Sequence, residues 1–251
     1  MTSGATRIVY VGHATVLVEL DGVRLLTDPI LRSRLMHLRR AGGVDADAAR
    51  DVDAVLLSHL HYDHLDFPSL RGVGRDVRIL VSKGAGKLLT RRRFTAVTEV
   101  AAGDEVAVGA LTVQATPAVH DPRRLPLGLK AEAIGFLVSG SRTVYFAGDT
   151  ELFDGMAELG PVDIALLPIA GWGPKLGHGH MDPEAAVAAA RLLRATAVVP
   201  IHWGTLFPVH SSIRKRPGFI DAPAVEFATR MREEAPEIEV HVLEPGASVS
   251  L

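Results

Sequence analysis

The sequence contains no cysteine among its 251 residues. This absence excludes disulfide bonds, thiolate metal ligands and a cysteine nucleophile, and it is consistent with a cytoplasmic protein. No apolar stretch approaches the ~20 residues that a membrane-spanning helix needs, since the Ala-rich segment 184–201 is interrupted by Arg191 and Arg194. The first residues also lack the basic-then-apolar profile of a signal peptide. We therefore expect a cytoplasmic protein that does not insert into a membrane.

The formal net charge is small as well, at −2. Total charge therefore indicates neither a nucleic-acid partner nor binding to an anionic membrane. With 47% hydrophobic and 22% charged residues, the chain can bury a substantial core and is not disordered. Its length allows one large α/β domain or two small ones. A homo-oligomer is compatible with the sequence.

One cluster of ligand-type residues dominates the chain. The apolar run 53–57 predicts a buried strand, and it leads directly into the motif SHLHYDHLD at 58–66. Sites in layered α/β proteins collect where strands leave the sheet. Imidazole and carboxylate are ligands that zinc, manganese and iron accept, and close-packed histidines repel one another unless a shared cation holds them. The spacing H-x-H-x-D-H therefore predicts a metal site.

The remaining chain has the pattern of an α/β protein. The predicted strands are 7–11, 15–20, 23–27, 78–81, 105–108, 111–118, 133–138, 143–147, 163–169, 197–201, 238–243 and 247–251, and the main predicted helices are 84–92, 182–194 and 222–233. Residues 30–52 are predicted to be a surface excursion, in which a solvated loop is favoured over a basic flap above the site. This order predicts two sheets packed face to face with helices outside, as one domain.

Three further strand ends carry possible ligands, namely His120, Asp149 and His202. With the 59–64 motif they make a set of side chains too large for one tetrahedral ion but suited to two cations about 3.5–4 Å apart. Asp149 is the natural bridging carboxylate. His13, between the first two strands, is expected to be a buried, hydrogen-bonded histidine, and a ligand role is the alternative.

Five stretches of the sequence carry a family resemblance: GHAT at 12–15, LLTDP at 25–29, the 58–66 motif, GDT at 148–150 and IHWGT at 201–205. Together they resemble the metallo-β-lactamase superfamily, and especially the branch that holds N-acyl-phosphatidylethanolamine-hydrolysing phospholipase D and the ascorbate-6-phosphate lactonases. The resemblance implies an α/β fold, a four-layer αββα sandwich in which two mixed sheets pack face to face between outer helices. It also implies that residues 1–251 form a single metallo-hydrolase domain, without the clamp domain of the nuclease branches.

The resemblance further divides the ligands between two ions. The implied sets are His59, His61 and His120 for one ion, and Asp63, His64 and His202 for the other, with Asp149 shared. Asp28 and Asp66 would be outer carboxylates that orient ligand histidines, and for Asp28 the alternative is a turn residue before proline. The ions are expected to be divalent, with zinc as the default and manganese or iron as alternatives.

The expected reaction is hydrolysis by a hydroxide that bridges the two ions and is oriented by Asp63. Such a pair of cations lowers the pKa of bound water to about 7 and stabilises the negative charge that develops at a phosphoryl or acyl centre. His180, in the glycine-rich loop 171–180, is the candidate for the leaving-group proton or a substrate contact, with a loop histidine of no role as the alternative. His178 is a weaker candidate, and Trp172 is a candidate pocket wall.

Two substrate classes are compatible with this chemistry. A phosphodiester or other phosphorylated small molecule is favoured if Arg123, Arg124 and the arginines of 32–40 face the site, and a lactone or other carboxylic ester is the alternative. A di-iron oxidoreductase would need redox-active metal and usually a flavin partner domain. A non-catalytic metal-binding protein would need ions without an open coordination position.

Overall fold

The computed structural model describes residues 6–43, 46–123, 129–170, 176–209 and 220–251. The strands in these ranges are β1 (Arg7–Gly12), β2 (Thr15–Leu20), β3 (Val23–Thr27), β4 (Arg34–Leu35), β5 (Leu38–Arg40), β6 (Ala54–Leu57), β7 (Arg78–Ser82), β8 (Val97–Val100), β9 (Glu105–Val108), β10 (Leu111–Pro117), β11 (Ile134–Ser139), β12 (Thr143–Phe146), β13 (Ile164–Pro168), β14 (Ala197–Ile201), β15 (Leu206–Pro208), β16 (Glu239–Val240) and β17 (Ser248–Ser250).

The α-helices of the described ranges are α1 (Phe67–Val73), α2 (Gly86–Thr90), α3 (Met156–Leu159), α4 (Pro183–Leu192) and α5 (Ala222–Glu234), and a 3₁₀ turn spans Ala46–Ala49. In this part of the chain, no helix combines the length and the apolar character that crossing a membrane requires. The short strands β4, β5, β8 and β15 and the short helix α3 were not predicted from the sequence.

Two seven-stranded sheets form the centre of the fold. The strand order is β17-β1-β2-β3-β6-β7-β8 in the first sheet and β16-β14-β13-β12-β11-β10-β9 in the second. In the first sheet β1, β2 and β3 pair antiparallel, whereas β3, β6, β7 and β8 are parallel. In the second sheet β9 to β12 are antiparallel, and β12, β13, β14 and β16 are parallel. The predicted fold class, with two mixed sheets, is confirmed.

Alternation of side chains along the strands explains why the sheets stack. Successive residues of a strand point to opposite faces. In β1, Ile8 belongs to the core cluster that also contains Phe136 of the second sheet, whereas its neighbour Val9 lies in a separate cluster. Another outer cluster joins Val55 of β6 to Leu70 of α1, and α4 and α5 contribute to the main core with the second sheet. Each sheet therefore buries one face against the other sheet and one face against helices.

The segment 30–52 differs from the expected solvated loop. β4 and β5 form a hairpin, and β5 pairs with β15 to make a small three-stranded sheet. Arg40 of β5 is only 4% exposed, and its guanidinium donates to the backbone oxygens of Val11, at 2.9 Å, and Ile30. The expectation of a solvated loop is wrong at Arg40, because backbone carbonyls from two other segments replace water around its charge.

The connections between strands decide where the site forms. β6, β7, β12, β13 and β14 all take part in parallel pairing, so their carboxyl ends lie at the same edge of their sheets. The 58–66 motif follows β6, and the segments after β12 and β14 carry Asp149 and His202. Loops that leave this edge bring residues from distant parts of the sequence together.

Candidate metal centre

The 59–64 motif leaves β6 and folds into a tight turn. The amide nitrogens of His64 and Leu65 donate to the backbone oxygen of His61 at 3.1 and 2.8 Å. Because the chain turns here, consecutive ligand-type residues of the motif divide between two clusters rather than pointing to one place.

Three other strand ends deliver the remaining predicted ligands. His120 follows β10, Asp149 follows β12 and His202 follows β14. The amide nitrogen of His202 donates to the backbone oxygen of His13 at 2.8 Å, which joins the turn between β1 and β2 directly to the end of β14. The structure brings all three residues into ligand distance of the 59–64 turn.

The first cluster consists of His59, His61 and His120, whose ligand nitrogens all lie within 4.8 Å of one another. Nε2 of His120 is 2.9 Å from Nδ1 of His61. The ring of His59 meets both other rings edge-on, at centroid distances of 4.6 Å. These are the three residues that the resemblance assigned to one ion.

The second cluster consists of His13, Asp63, His64 and His202, again with ligand atoms within 4.8 Å. Nε2 of His64 and Nε2 of His202 lie 3.3 Å apart. Oδ2 of Asp63 is 3.9 and 3.8 Å from these two nitrogens and 3.1 Å from Nε2 of His13. The resemblance assigned every member except His13 to the second ion.

Asp149 contacts the second cluster and lies close to the first. Its Oδ2 lies 3.1 Å from Nε2 of His64 and 3.2 Å from Nε2 of His202. It also belongs to a group with His120 and His180, in which the ligand atoms lie within 4.8 Å. A carboxylate shared by two ions needs this intermediate position.

The tautomers of the second-cluster histidines follow from their outer hydrogen bonds. Nδ1 of His64 lies 2.7 Å from Oδ2 of Asp28, and Nδ1 of His202 lies 2.6 Å from the backbone oxygen of Ala170. Both partners are acceptors, so each Nδ1 carries the hydrogen and each neutral ring keeps its lone pair on Nε2. When both rings are neutral, two lone pairs 3.3 Å apart face each other, and either a proton on one ring or a cation between them relieves this repulsion.

The same inference holds for the first cluster. Nδ1 of His120 lies 2.6 Å from the backbone oxygen of Gly179, which can only accept. Nδ1 of His59 lies 2.9 Å from Oγ of Ser58, and that hydroxyl already donates to Asp28. The hydrogen of each ring is therefore on Nδ1, and the Nε2 lone pairs of both point into the cluster.

Two buried atoms test whether these residues fit metal ions. Nε2 of His59 and Oδ1 of Asp149 are buried, and no described residue gives either atom a hydrogen-bond partner. An unpaired buried acceptor is costly unless something positive satisfies it. Imidazole and carboxylate donors with unpaired acceptor atoms form the set that divalent transition metals accept, so the residues fit the implied ions.

Burial and mutual charge set the protonation of the site. Burial lowers the pKa of His120 to about 4 and that of His59 well below its usual value. Burial opposes charge on Asp149, but His202 and His64 hold the pKa of that carboxyl well below its ordinary value. For His64 the surrounding carboxylates outweigh burial and raise its pKa. A cation in this position would take the place of the His64 proton.

The backbone is strained at three residues of the site. His13, Asp28 and His202 have φ values of 59°, 31° and 63°, in the left-handed region. Such conformations cost about 1–3 kcal/mol each and persist only where the surroundings impose them. The packing and hydrogen bonds around the clusters therefore hold these three residues in an unfavourable backbone conformation.

The two predicted outer carboxylates have different surroundings. Asp28 is fully buried and contacts the ligand histidine His64, as the resemblance implied. Asp66 accepts from the amide of Ser69 at 3.0 Å as the cap of α1 and pairs with Arg32 at 3.0 Å. The predicted contact of Asp66 with a ligand histidine is not among its described contacts.

The remaining predicted site residues lie around the clusters. Nε2 of His180 is 3.5 Å from Oδ2 of Asp149, and this interaction outweighs burial and raises the pKa of His180. His178 has a fully exposed side chain. Arg123 is exposed, and its backbone hydrogen-bonds to His61. Arg124 and Trp172 lie outside the described residues.

A cavity of about 270 Å³ opens beside the second cluster. His13 and His202 form one side of it, and its apolar walls include Ile169, Leu206 and Ile220. None of the described residues that line it is a lysine or an arginine. The space next to the clusters therefore suits an apolar group.

Gly179 controls the position of His120. A Cβ on Gly179 would lie 2.6 Å from Nδ1 of His120, and the φ of this glycine is +84°. We expect Gly179→Ala to push the imidazole out of the first cluster and to weaken metal binding by about 10–100-fold, as loss of an orienting contact does. Competitive titration with a chromogenic chelator measures this change.

Gly177→Ala is the matched control in the same loop. Among the described residues, a Cβ there would meet only Nδ1 of His180, at an ordinary 3.9 Å. This variant should bind metal like the wild type. Equal metal affinities for Gly179→Ala and Gly177→Ala would show that the loop accommodates the added methyl group without moving His120.

Comparison with known proteins gives related sequences and folds. The profile of the Beta-lactamase superfamily domain matches residues 23–203. The chain is 32% identical over 227 residues to N-acyl-phosphatidylethanolamine-hydrolyzing phospholipase D 1 of Caenorhabditis elegans, covering 78% of this chain and 63% of that protein. It therefore spans less than two thirds of the length of this relative.

Two further proteins match along nearly their whole length. A metal-dependent hydrolase of Rubrobacter xylanophilus is 33% identical over 262 residues, covering 97% of this chain and 96% of that protein. The solved structure of Igni18, a metallo hydrolase from Ignicoccus hospitalis, superimposes with a TM-score of 0.71 at 26% identity and covers 99% of both chains.

Proposed function

The chain belongs to the Beta-lactamase superfamily, and from this membership and its paired histidine–aspartate clusters we propose that it is a metal-dependent hydrolase. The observation that carries the proposal is the convergence of histidine ring nitrogens from separate segments: Nε2 of His64 and Nε2 of His202 meet at Oδ2 of Asp149, beside the cluster of His59, His61 and His120. Such convergence of buried acceptors is unfavourable without a cation and has no structural purpose that apolar packing would not serve better.

Two divalent ions are proposed as the cofactors. The residues that would hold them are His59, His61 and His120 for one, and Asp63, His64 and His202 for the other, with Asp149 shared. Zinc is the first candidate, and manganese or iron are alternatives. When bound, the ions would supply Lewis acidity that activates water near neutral pH and offsets negative charge in the transition state.

Residues of the chain itself would orient the reactants. The Asp63 side chain is 13% exposed, so its carboxylate is within reach of a water molecule as well as of the second cluster. An ionised carboxylate in this position can accept a hydrogen bond from the attacking water and hold it for attack. His180 lies next to Asp149, where its imidazole can give a proton to a leaving group.

A phosphodiester or another phosphorylated small molecule is the first candidate substrate. It is supported by the name of the phospholipase D relative and by the suitability of paired cations for phosphoryl transfer. The arginines support a phosphorylated substrate less than the sequence suggested. Arg32 is paired with Asp66, Arg40 is buried against carbonyls, and Arg123 is exposed.

A lactone or other carboxylic ester is the second candidate. The cavity beside the second cluster favours it, because the described lining is largely apolar and contains no cation that would recognise a phosphate. An uncharged ester with an apolar acid or alcohol portion fits such a surface.

A hydrolase panel tests the proposal. Purified protein should contain about two transition-metal ions per chain by elemental analysis. With each metal in turn, bis(p-nitrophenyl) phosphate and a series of lactones should then be compared at low and high salt, because screening weakens the binding of a charged substrate. A protein that binds no metal would refute the site, and a two-iron protein with redox activity and no hydrolysis would refute the reaction.

A further inference from the structure

His13 makes one side-chain hydrogen bond that the implied ligand sets leave unexplained. Its Nε2 lies 3.1 Å from Oδ2 of Asp63, and the imidazole is only 3% exposed. The ring packs on the ring of His202 with a centroid distance of 3.9 Å. His13 therefore touches two members of the second cluster while belonging to a different part of the fold, the turn between β1 and β2.

The backbone of His13 is held firmly. Its amide nitrogen donates to Oγ1 of Thr205 at 2.8 Å, and its carbonyl accepts from the amide of His202 at 2.8 Å. A Cβ on the preceding Gly12 would lie 2.9 Å from the Thr205 side chain, so only glycine permits this close approach. Hydrogen bonds from both the amide and the carbonyl of His13 thus join this turn to the segment after β14.

Asp63, in contrast, has few constraints of its own. Its carboxylate lies 3.8 Å or more from Nε2 of His64 and of His202, beyond hydrogen-bond distance. Among the described residues, only His13 forms a hydrogen bond with the side chain of Asp63. It is also more exposed than the buried histidines around it. Without His13, the carboxylate would be free to rotate toward solvent.

We propose that His13 is a positioning residue, which donates its Nε2 hydrogen to Oδ2 of Asp63 and so holds that carboxylate ready for the second metal ion. This inference rests on the proposed function, and it assigns to His13 a role outside the metal ligands. The neutral imidazole has one N–H to give. Because that hydrogen is used on Asp63, Nε2 is not a ligand atom itself.

Two amide variants separate this role from a merely structural one. In His13→Gln the amide nitrogen can reach the position of Nε2 and donate to Asp63. In His13→Asn the amide is too short to do so, although asparagine suits the left-handed backbone of this residue better than glutamine does. His13→Ala removes the donor altogether.

The experiment is stepwise zinc titration of the metal-depleted full chain against a chromogenic chelator, with thermal unfolding of each metal-depleted variant measured alongside. We expect the second binding step to weaken about 10–100-fold in His13→Asn and His13→Ala, the usual cost of losing an orienting contact. His13→Gln should stay within a few-fold of the wild type. The Asn variant should unfold at a temperature no lower than the Gln variant.

Two results would overturn the inference. If the Asn and Ala variants bind both ions as tightly as the wild type, His13 does not position Asp63. If the Gln variant loses the second ion as completely as the Ala variant, the imidazole is a direct ligand and not a positioning residue. A wild type that binds no zinc would instead refute the proposed function. Failure of the His13 inference and failure of the proposed function therefore give different results.

Discussion

Replacement of Asp149 by asparagine is expected to remove high-affinity binding of both metal ions and, with it, hydrolysis. Oδ2 of Asp149 lies 3.1 and 3.2 Å from the Nε2 atoms of His64 and His202, and its Oδ1 is buried without a partner. Asparagine keeps the shape of the side chain but removes its negative charge. Without that charge, the repulsion between two cations at the meeting point of the two clusters is offset much less.

We expect the metal content of Asp149→Asn after dialysis to fall from about two ions per chain toward zero. The affinity should drop by more than the roughly 100-fold that loss of an orienting contact can cost, because a ligand itself is lost. Elemental analysis and chelator competition measure both quantities. Turnover should fall with the metal content, below the detection limit of the panel substrate that the wild type accepts.

Asp154→Asn is the matched control, because Asp154 is an exposed carboxylate on the same segment after β12. It should leave metal content and turnover unchanged. If Asp149→Asn kept both ions and full activity, the central position of Asp149 would have no functional meaning and the proposed site would be refuted.

Replacement of His180 by glutamine is expected to lower turnover by about 100-fold or more while both ions stay bound. A positioned general acid contributes about 100- to 10,000-fold to a rate, and Nε2 of His180 lies 3.5 Å from Oδ2 of Asp149, at the edge of the clusters. Glutamine retains a hydrogen-bond donor but cannot give up a proton. The measurement is kcat on the best substrate of the panel, together with metal content.

His178→Gln is the control for this variant. His178 lies in the same loop, its side chain is fully exposed, and its nearest described carboxylate is that of Glu151, at 3.8 Å. Its turnover should equal that of the wild type. Unchanged kcat in His180→Gln would dismiss the proton-donor role, and loss of one ion from this variant would make His180 a ligand instead.

Short-range features of the structure could be predicted well from the sequence. The predicted strands 15–20 and 23–27 are separated by Asp21-Gly22, a pair typical of tight hairpins, and both residues have the positive φ values, 49° and 78°, that a tight turn between β2 and β3 requires. The helix predicted over 182–194 begins with an aspartate followed by proline, which is typical of a helix start, and Asp182 caps α4. These features depend on a few neighbouring residues, so the sequence contains all the information that decides them.

Features that depend on distant segments were predicted poorly. Arg40 was expected in a solvated loop, yet it lies in a strand whose partner begins at Leu206. Asp66 was expected to orient a histidine, and its described contacts are a helix cap and an ion pair with Arg32. In each case the side chain has several possible partners of suitable chemistry, and only the packing of the chain selects among them.

The site likewise combines features that could be predicted from the sequence with features that depend on distant segments. The motif 58–66 after an apolar run identified the ligand types and placed them at a strand end, because hydrophobic period and ligand chemistry are both visible in the sequence. The role of Gly179 could not be predicted, because the clash that a side chain would cause involves His120 from another loop. The contact between His13 and Asp63 likewise joins two strand connections that are adjacent only in space.

The sequence by itself determined which residues can bind metal, that they follow strands, and that two mixed sheets with outer helices would carry them. Only the tertiary structure decided which ring nitrogen keeps its lone pair, through acceptors such as the backbone oxygens of Ala170 and Gly179. It alone also placed Asp149 between the clusters. The physical reason is that hydrogen bonds and charge interactions act over a few ångströms in space, between atoms whose separation along the chain does not constrain them.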